Sequence, residues 1–132
     1  MLKYMLDTNI VIYTMKNRPK RVRSAFKKHD GQMCISSVTL GELIYGAEKS
    51  MAPEQNIADI ESMISRLEVR PFDSQAAIHF GQIRAALATI GKPIGPYDAM
   101  IAGHARALGL VLVSNNETEF RRVPGLMLGN WA

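Results

Sequence analysis

The chain has 132 residues, 47% of them hydrophobic, which is enough for one domain with an apolar core and excludes a disordered chain. Sixteen Lys and Arg residues against twelve Asp and Glu residues give a formal charge of +4, a weak indication of an anionic partner. No apolar run is long enough for a membrane span, no signal peptide is recognisable, and a single cysteine excludes an internal disulfide and a cysteine-based zinc site. We expect a cytoplasmic protein with one domain over residues 1–132.

Apolar periodicity, helix caps and Gly or Pro breakers predict alternating strands and helices. In chain order these are a strand at 2–6, a helix at 10–15 capped by Asn9, a helix from Pro19 to Gly31, a strand at 33–36, a helix capped by Ser37, a helix opened by Pro53, a strand at 69–72, a helix capped by Asp73 or Ser74 and ending at Gly91, a helix from Pro96 to Gly109, a strand at 110–114 and an edge strand at 126–128. This alternation predicts an α/β fold with a central, mostly parallel sheet.

The basic residues concentrate in one segment that contains no acid. Its members are Lys16, Arg18, Lys20, Arg21, Arg23, Lys27 and Lys28. On the predicted helix Lys20, Arg23 and Lys27 share one face, because residues three and four apart are neighbours on a helix. This face is a candidate RNA-binding surface that contacts phosphates without reading sequence, and a plain solvated face is the alternative.

An α/β sheet places its ligands beyond the carboxyl ends of its strands, where Asp7 follows the first strand and Asn115, Asn116 and Glu119 follow the strand at 110–114. If these two strands are neighbours, the four residues meet at one edge. Two further acids lie near helix starts: Glu42 in the first turn or two of the helix that begins near Ser37, and Asp98 in the first turn of the helix opened by Pro96. Each acid alone could serve only to favour the helix dipole. Glu42 and Asp98, however, lie in apolar surroundings without an adjacent basic partner, in the stretches VTLGELIYGA and PIGPYDAMIAGHA.

Converging carboxylates at one sheet edge require a counter-charge. A pair of charges ~4 Å apart repels by about 4 kcal/mol at an effective dielectric constant of 20, so such a cluster needs bound protons or cations. Ligands that are all oxygen favour Mg²⁺ or Mn²⁺ over zinc. The three acids therefore predict a catalytic metal site, with the ion able to activate water towards a phosphodiester.

Four stretches of the chain resemble, in their order and spacing, the PIN-domain toxins of bacterial toxin–antitoxin pairs, of the VapC type. They are MLDTNIVIY, SSVTLGELIYGAEKS, GKPIGPYDAMIAGHARALGLVLVSNN and EFRRVPGLMLGNW, and the similarity runs from about Met1 to Trp131. The resemblance implies a three-layer α/β/α PIN fold and an endoribonuclease that depends on Mg²⁺ or Mn²⁺. It also implies a homodimer, neutralised by a VapB-like antitoxin in a larger assembly. Enteric relatives suggest initiator tRNA, cut in its anticodon loop, as the RNA.

The resemblance also assigns site residues. It carries the role of metal ligand and catalytic acid onto Asp7, Glu42 and Asp98. Thr8 and Asn9 match the polar residues that accompany the first acid.

The fourth acidic position has two candidates. Many relatives have Asp where this chain has Asn116, and an acid again where it has Glu119. Because Asn116 carries no charge, we expect Glu119 to complete the metal site and Asn116 to orient it, if a helical turn brings both to one face. The alternative for Glu119 is a surface acid paired with Arg121 or Arg122. Ser114 could hydrogen-bond a ligand carboxylate, bind the substrate or act as a local cap, and Thr8 has the same three options.

Other chemistries fit the sequence less well. A phosphatase-like phosphotransfer enzyme with Asp7 as nucleophile needs a second acid two residues on, where this chain has Asn9. A non-catalytic RNA-binding or regulatory module on the same fold needs no acidic set at all. A metal-free ribonuclease needs a His pair, and the three histidines share no such spacing. Tyr97 is expected to fill the core, with base stacking as the alternative.

Overall fold

The computed structural model describes residues 1–16 and 19–131. Arg18, which belongs to the basic segment, and Ala132, the last residue of the predicted domain, lie outside the described residues. Within the described residues the strands are β1 Tyr4–Leu6, β2 Met33–Ser36, β3 Glu68–Arg70, β4 Val111–Val113 and β5 Leu128–Gly129. They form one parallel sheet in the order β3-β2-β1-β4-β5.

The described helices follow the predicted alternation closely. They are α1 Thr8–Lys16, α2 Lys20–Lys28, α3 Ser37–Glu48, α4 Pro53–Ile64, α5 Ser74–Thr89, α6 Pro96–Leu108 and the short α7 Glu117–Phe120. None of them is long and apolar enough to cross a membrane.

The sheet has an apolar core on each face, because successive residues of a strand point to opposite sides. Leu6 and Val113 belong to a buried cluster that α1, α2, α3 and α4 complete. Their neighbours Met5 and Leu112 belong to a second cluster, completed by α5, α6 and α7. The predicted α/β/α fold with a parallel sheet is thus confirmed, and it explains why residues 110–113 are all apolar.

A glycine sets the close packing of α5 against α6. A Cβ atom at Gly103 would lie 2.6 Å from the backbone nitrogen of Phe80 and 2.9 Å from its Cα. Real Cβ atoms do not approach backbone so closely, so a larger residue at position 103 would push the two helices apart. The contact fixes α6, the helix whose first turn carries Asp98.

Two predicted helix caps are wrong by one or two residues. The cap of α1 is Asp7 instead of Asn9, since the Asp7 carboxylate accepts a hydrogen bond from the Ile10 N–H at 2.9 Å. The cap of α3 is Ser36 instead of Ser37, since the Ser36 hydroxyl accepts from the Val38 N–H at 3.1 Å. In both places the capping residue is the one directly before the helix, and its side chain reaches the free N–H groups of the first turn.

The strand order places the carboxyl end of β1 beside that of β4. From β1 the chain moves outward through β2 to β3 and then returns to the other side of β1 with β4. Such a reversal opens a crevice outside the carboxyl ends of the two central strands, where α/β proteins bind ligands. Asp7 follows β1 and Ser114 follows β4, so both lie at this crevice.

Candidate active site

Asp7 is the buried member of the site, with only 5% of its surface exposed. Its backbone N–H donates to the Val113 carbonyl at 3.0 Å, which ties it to β4, and its carboxylate caps α1. The pKa of Asp7 is raised, mainly by burial. Hydrogen bonds from the Ser114 side chain and the Ile10 backbone oppose this increase, and the charge of Glu42 adds to it. The fold therefore holds this carboxylate in place by several directed contacts.

Glu42 reaches the same place from α3, and a threonine fixes its orientation. The Thr8 hydroxyl donates to Glu42 Oε1 at 2.8 Å and lies 3.3 Å from the hydroxyl of the buried Thr39. Of the three options left open for Thr8, the structure shows the hydrogen bond to a carboxylate of the predicted metal site. Thr39 was not identified from the sequence, because a threonine inside an apolar helix gives no signal of its own.

Asp98 enters from the first turn of α6 and is partly exposed. Its pKa is raised from 3.8 to about 6, by burial first and then by the charges of Glu119, Asp7 and Glu42. These causes show that the four carboxylates, which come from different parts of the chain, lie close enough to interact electrostatically. We call Asp7, Glu42, Asp98 and Glu119 the acid cluster.

Glu119 is held by Asn116, the other candidate for the fourth position. The Asn116 side-chain amide donates to Glu119 Oε2 at 3.0 Å, and its backbone N–H donates to the Ser114 hydroxyl at 2.9 Å. The ion pair in this segment joins Arg121 to Glu117 at 3.6 Å, so the described residues give Glu119 no arginine partner. Ser114 has a double function, acting both as a local cap for this turn and as a hydrogen-bond partner of Asp7.

Asn9 contributes less than the sequence suggested. Its side chain is exposed, and the backbone of Asn9 is the part that hydrogen-bonds to Asp7 and lowers its pKa.

The acid cluster has the donor chemistry of a hard divalent cation. Within the described residues, Lys and Arg side chains pair only with Glu68 and Glu117, so no basic side chain neutralises the acid cluster. No three acidic, His or Cys side chains of those residues already stand as a closed metal-binding group. Mg²⁺ does not require one, since it commonly binds through one or two carboxylates and keeps several waters.

The three residues of the predicted basic face have different positions. Arg23 is partly buried, donates to the Thr14 carbonyl at 3.2 Å and lines a groove of about 640 Å³ that also touches Glu42, Lys16 and Arg66. Lys20 and Lys27 are exposed on α2. Of the three residues, Arg23 is the one that lines the same groove as Glu42, a member of the acid cluster.

Tyr97 is not a core residue, so that prediction is wrong. It is 58% exposed on the outer face of the first turn of α6, whereas Ala99 in the same turn is fully buried. A second tyrosine, Tyr13 on α1, accepts a hydrogen bond from the Asn115 side chain at 2.7 Å. This bond links α1 to the segment after β4 and had no recognisable signal in the sequence.

His104 and Ser36 form a buried polar pair that joins α6 to the end of β2. The buried His104 ring hydrogen-bonds through Nδ1 to the Ser36 hydroxyl at 2.8 Å and packs edge-on against Phe72. Burial lowers the pKa of His104, so the neutral ring is favoured. His104 therefore has a packing role, and it anchors the end of β2 from which α3 starts.

Comparison with known proteins identifies the family. The sequence profile of the PIN domain matches residues 4–126. The chain belongs to the PIN-domain family. It is 61% identical to the tRNA(fMet)-specific endonuclease VapC of Salmonella typhimurium over 99% of both chains, and 60% identical to that of Shigella flexneri over 100% of both. Its place among the PIN-domain proteins is therefore with the VapC ribonucleases.

Solved structures give the same relationship. The crystal structure of DNA-bound VapBC from Salmonella typhimurium matches with a TM-score of 0.96 at 61% identity over 100% of both chains. The VapBC2 structure from Rickettsia felis, bound to a DNA fragment from their promoter, matches with a TM-score of 0.93 at 38% identity, over 99% of this chain and 100% of that one. The resemblance to PIN-domain toxins of the VapC type is thereby confirmed.

Proposed function

We propose that this VapC-type chain is the toxin of a toxin–antitoxin pair, an endoribonuclease that depends on Mg²⁺ or Mn²⁺ and hydrolyses tRNA in the cytoplasm. The observation that carries the chemistry is the acid cluster, four acids that converge on the crevice between β1 and β4 without a basic partner among the described residues. The similarity to tRNA(fMet)-specific endonucleases over nearly the whole chain supports the choice of RNA.

Each residue of the acid cluster has a defined task in this proposal. Asp7, Glu42, Asp98 and Glu119 hold the cation, which when bound neutralises charge on the phosphodiester and acidifies a water molecule. Thr8 keeps Glu42 aimed at the crevice, and Asn116 does the same for Glu119. Attack by water, with no role for the ribose 2′-hydroxyl, leaves a 5′-phosphate and a 3′-hydroxyl.

The test is a cleavage assay of the full chain on initiator tRNA, elongator tRNAs and unrelated RNAs. Mg²⁺ or Mn²⁺ should support cleavage, and EDTA should stop it reversibly. We expect initiator tRNA to be cut before the others, in its anticodon loop, with 5′-phosphate ends. Cleavage that persists in EDTA contradicts the metal site, and 2′,3′-cyclic phosphate ends contradict attack by water. An RNA that is bound but never cut would identify a non-catalytic module.

The partner we propose is a VapB-like antitoxin, acting on a homodimer of this chain within a larger assembly. An inhibitor that inserts a cation, most simply an arginine, among the acids would displace the metal ion and satisfy their negative charge. The chain should stop growth when expressed alone and be tolerated when its genetic neighbour is expressed with it. Equal growth in both conditions contradicts the toxin assignment.

A further inference from the structure

Two exposed tyrosines stand out from the other aromatic side chains. Tyr45 is 66% exposed and Tyr97 is 58% exposed, whereas every other Phe, Tyr or Trp ring of the chain is buried or partly buried. Both belong to the elements that carry the acid cluster. Tyr45 comes three residues after Glu42 on α3, and Tyr97 immediately precedes Asp98 on α6.

Tyr45 lies on the same face of α3 as Glu42. Residues three apart share a helix face, and helical side chains lean towards the helix N-terminus, so the ring covers the turn that carries Glu42. The residue one turn before Tyr45 is Gly41, which brings no side chain to the ring and has open space around its Cα. The residue one turn after is Lys49, whose ammonium lies 4.9 Å from the ring centroid. A cation over an aromatic ring is well placed to meet a phosphate that accompanies a stacked base.

Tyr97 has a corresponding place on the other side of the sheet. Its helix, α6, packs in the layer opposite to α3, so the two tyrosines belong to helices on opposite faces of the sheet. As a residue of the first turn, Tyr97 leans beyond the start of its helix. Within the described residues neither of the two phenol groups makes a hydrogen bond, in contrast to Tyr13, whose hydroxyl is joined to Asn115.

We propose that Tyr45 and Tyr97 are stacking platforms that hold two unpaired nucleobases of the substrate, one on each side of the phosphate at the acid cluster. Unpaired bases can be splayed apart and stacked on aromatic rings, whereas the bases of a duplex are already stacked on one another. The arrangement therefore selects single-stranded loops and rejects duplex RNA. This inference rests on the proposed function, since it concerns how the same site takes its RNA.

The test measures binding of a labelled single-stranded oligoribonucleotide, and of a hairpin duplex of the same sequence, by fluorescence anisotropy. The full chain carries Asp7→Asn so that the RNA is not cut. Tyr45→Ala and Tyr97→Ala should each weaken single-strand binding about five- to a hundredfold, the range for loss of one base–aromatic stack. Tyr45→Phe and Tyr97→Phe keep the ring and should bind within about twofold of the parent. The salt dependence should be unchanged in all four, because no charge is removed.

The matched control is Ile78→Ala. Ile78 is a large apolar side chain on α5, 51% exposed and remote in sequence from the acid cluster, and its removal should leave both affinities unchanged. Thermal unfolding and gel filtration of every variant accompany the binding data. If the Ala variants bind single strands as the parent does, if the Phe variants fail as badly as the Ala variants, or if the Ala variants alter the oligomeric state, the stacking proposal is overturned. Failure of the unmutated chain to cleave any RNA with Mg²⁺ or Mn²⁺ would overturn the proposed function instead.

Discussion

Asp7 and Asp98 belong to the same acid cluster, but the protein holds them in opposite ways. Asp7 is buried and caps a helix, with hydrogen bonds from Ile10 and Ser114 that favour its charged form against burial. Asp98 is partly exposed, has no such bonds within the described residues, and its pKa is raised to about 6 by burial and by the other three acids. The comparison shows that the fold itself holds the Asp7 carboxylate in place, whereas the charged form of Asp98 needs a cation to stabilise it.

The largest effect on cleavage is expected for substitutions of Asp7. Asp7→Asn removes the charge but keeps an oxygen that can cap α1, so cleavage should fall to background while the protein stays folded. Asp7→Ala removes the cap as well and should cost about 1 kcal/mol of the free energy of unfolding in addition. Cleavage rates with thermal unfolding of both variants check this. An active Asp7→Asn protein would contradict the role of Asp7 as a ligand.

The pH dependence of metal binding tests the role of Asp98. Protons compete with the cation for Asp98, so the affinity for Mg²⁺ should fall as the pH is lowered through about 6, the raised pKa of that carboxyl. Below that pH the loss for one competing proton is about tenfold per pH unit. Calorimetric titration with Mn²⁺ from pH 5 to 8, with proton uptake or release recorded, measures it. An affinity that is flat over this range would contradict the coupling between Asp98 and the cation.

The fourth position should show a smaller, graded loss. Glu119→Gln removes charge and should slow cleavage strongly and raise the Mg²⁺ concentration required, though less than Asp7→Asn slows it. Asn116→Ala removes only the amide that orients Glu119 and should cost about tenfold, at the lower end for a residue that positions a metal ligand. Asn116→Asp should retain activity. Rates against Mg²⁺ concentration decide between them, and normal metal dependence in Glu119→Gln with loss in Asn116→Ala would reverse the two roles.

The smallest expected effect concerns stability without metal. The carboxyl of Asp98 releases its proton near pH 3.8 in the unfolded chain but near pH 6 in the fold, so its contribution favours the unfolded state increasingly as the pH rises from about 4 to 6. Asp98→Asn should therefore stabilise the metal-free protein above pH 6, by about 1–2 kcal/mol after allowing for solvent screening. At pH 4 the variant and its parent should unfold alike. Urea unfolding in EDTA at both pH values measures the difference, and equal stability at pH 7 would contradict it.

The sequence by itself determined much of this protein. Apolar runs and Gly or Pro breakers fix the strand–helix alternation, because burial of one face of each element depends on local periodicity. The same pattern places Asp7 directly after a strand and Asp98 in a first helical turn, as the structure has them. That the whole of residues 1–132 forms one domain, and that the acid cluster holds the metal ion, stay predictions.

Only the tertiary structure decided how these pieces meet. The order β3-β2-β1-β4-β5 brings the end of β4 beside the end of β1, and no local pattern encodes which strands become neighbours. The exact caps could not be predicted either, since Asp7, Thr8 and Asn9 are all good capping residues and only the structure shows that the helix begins at Thr8. Tyr97 was misplaced for the same reason. A tyrosine's burial depends on which face of its helix packs against the rest of the protein, and in the first turn of α6 Ala99 takes the buried face while Tyr97 takes the exposed one.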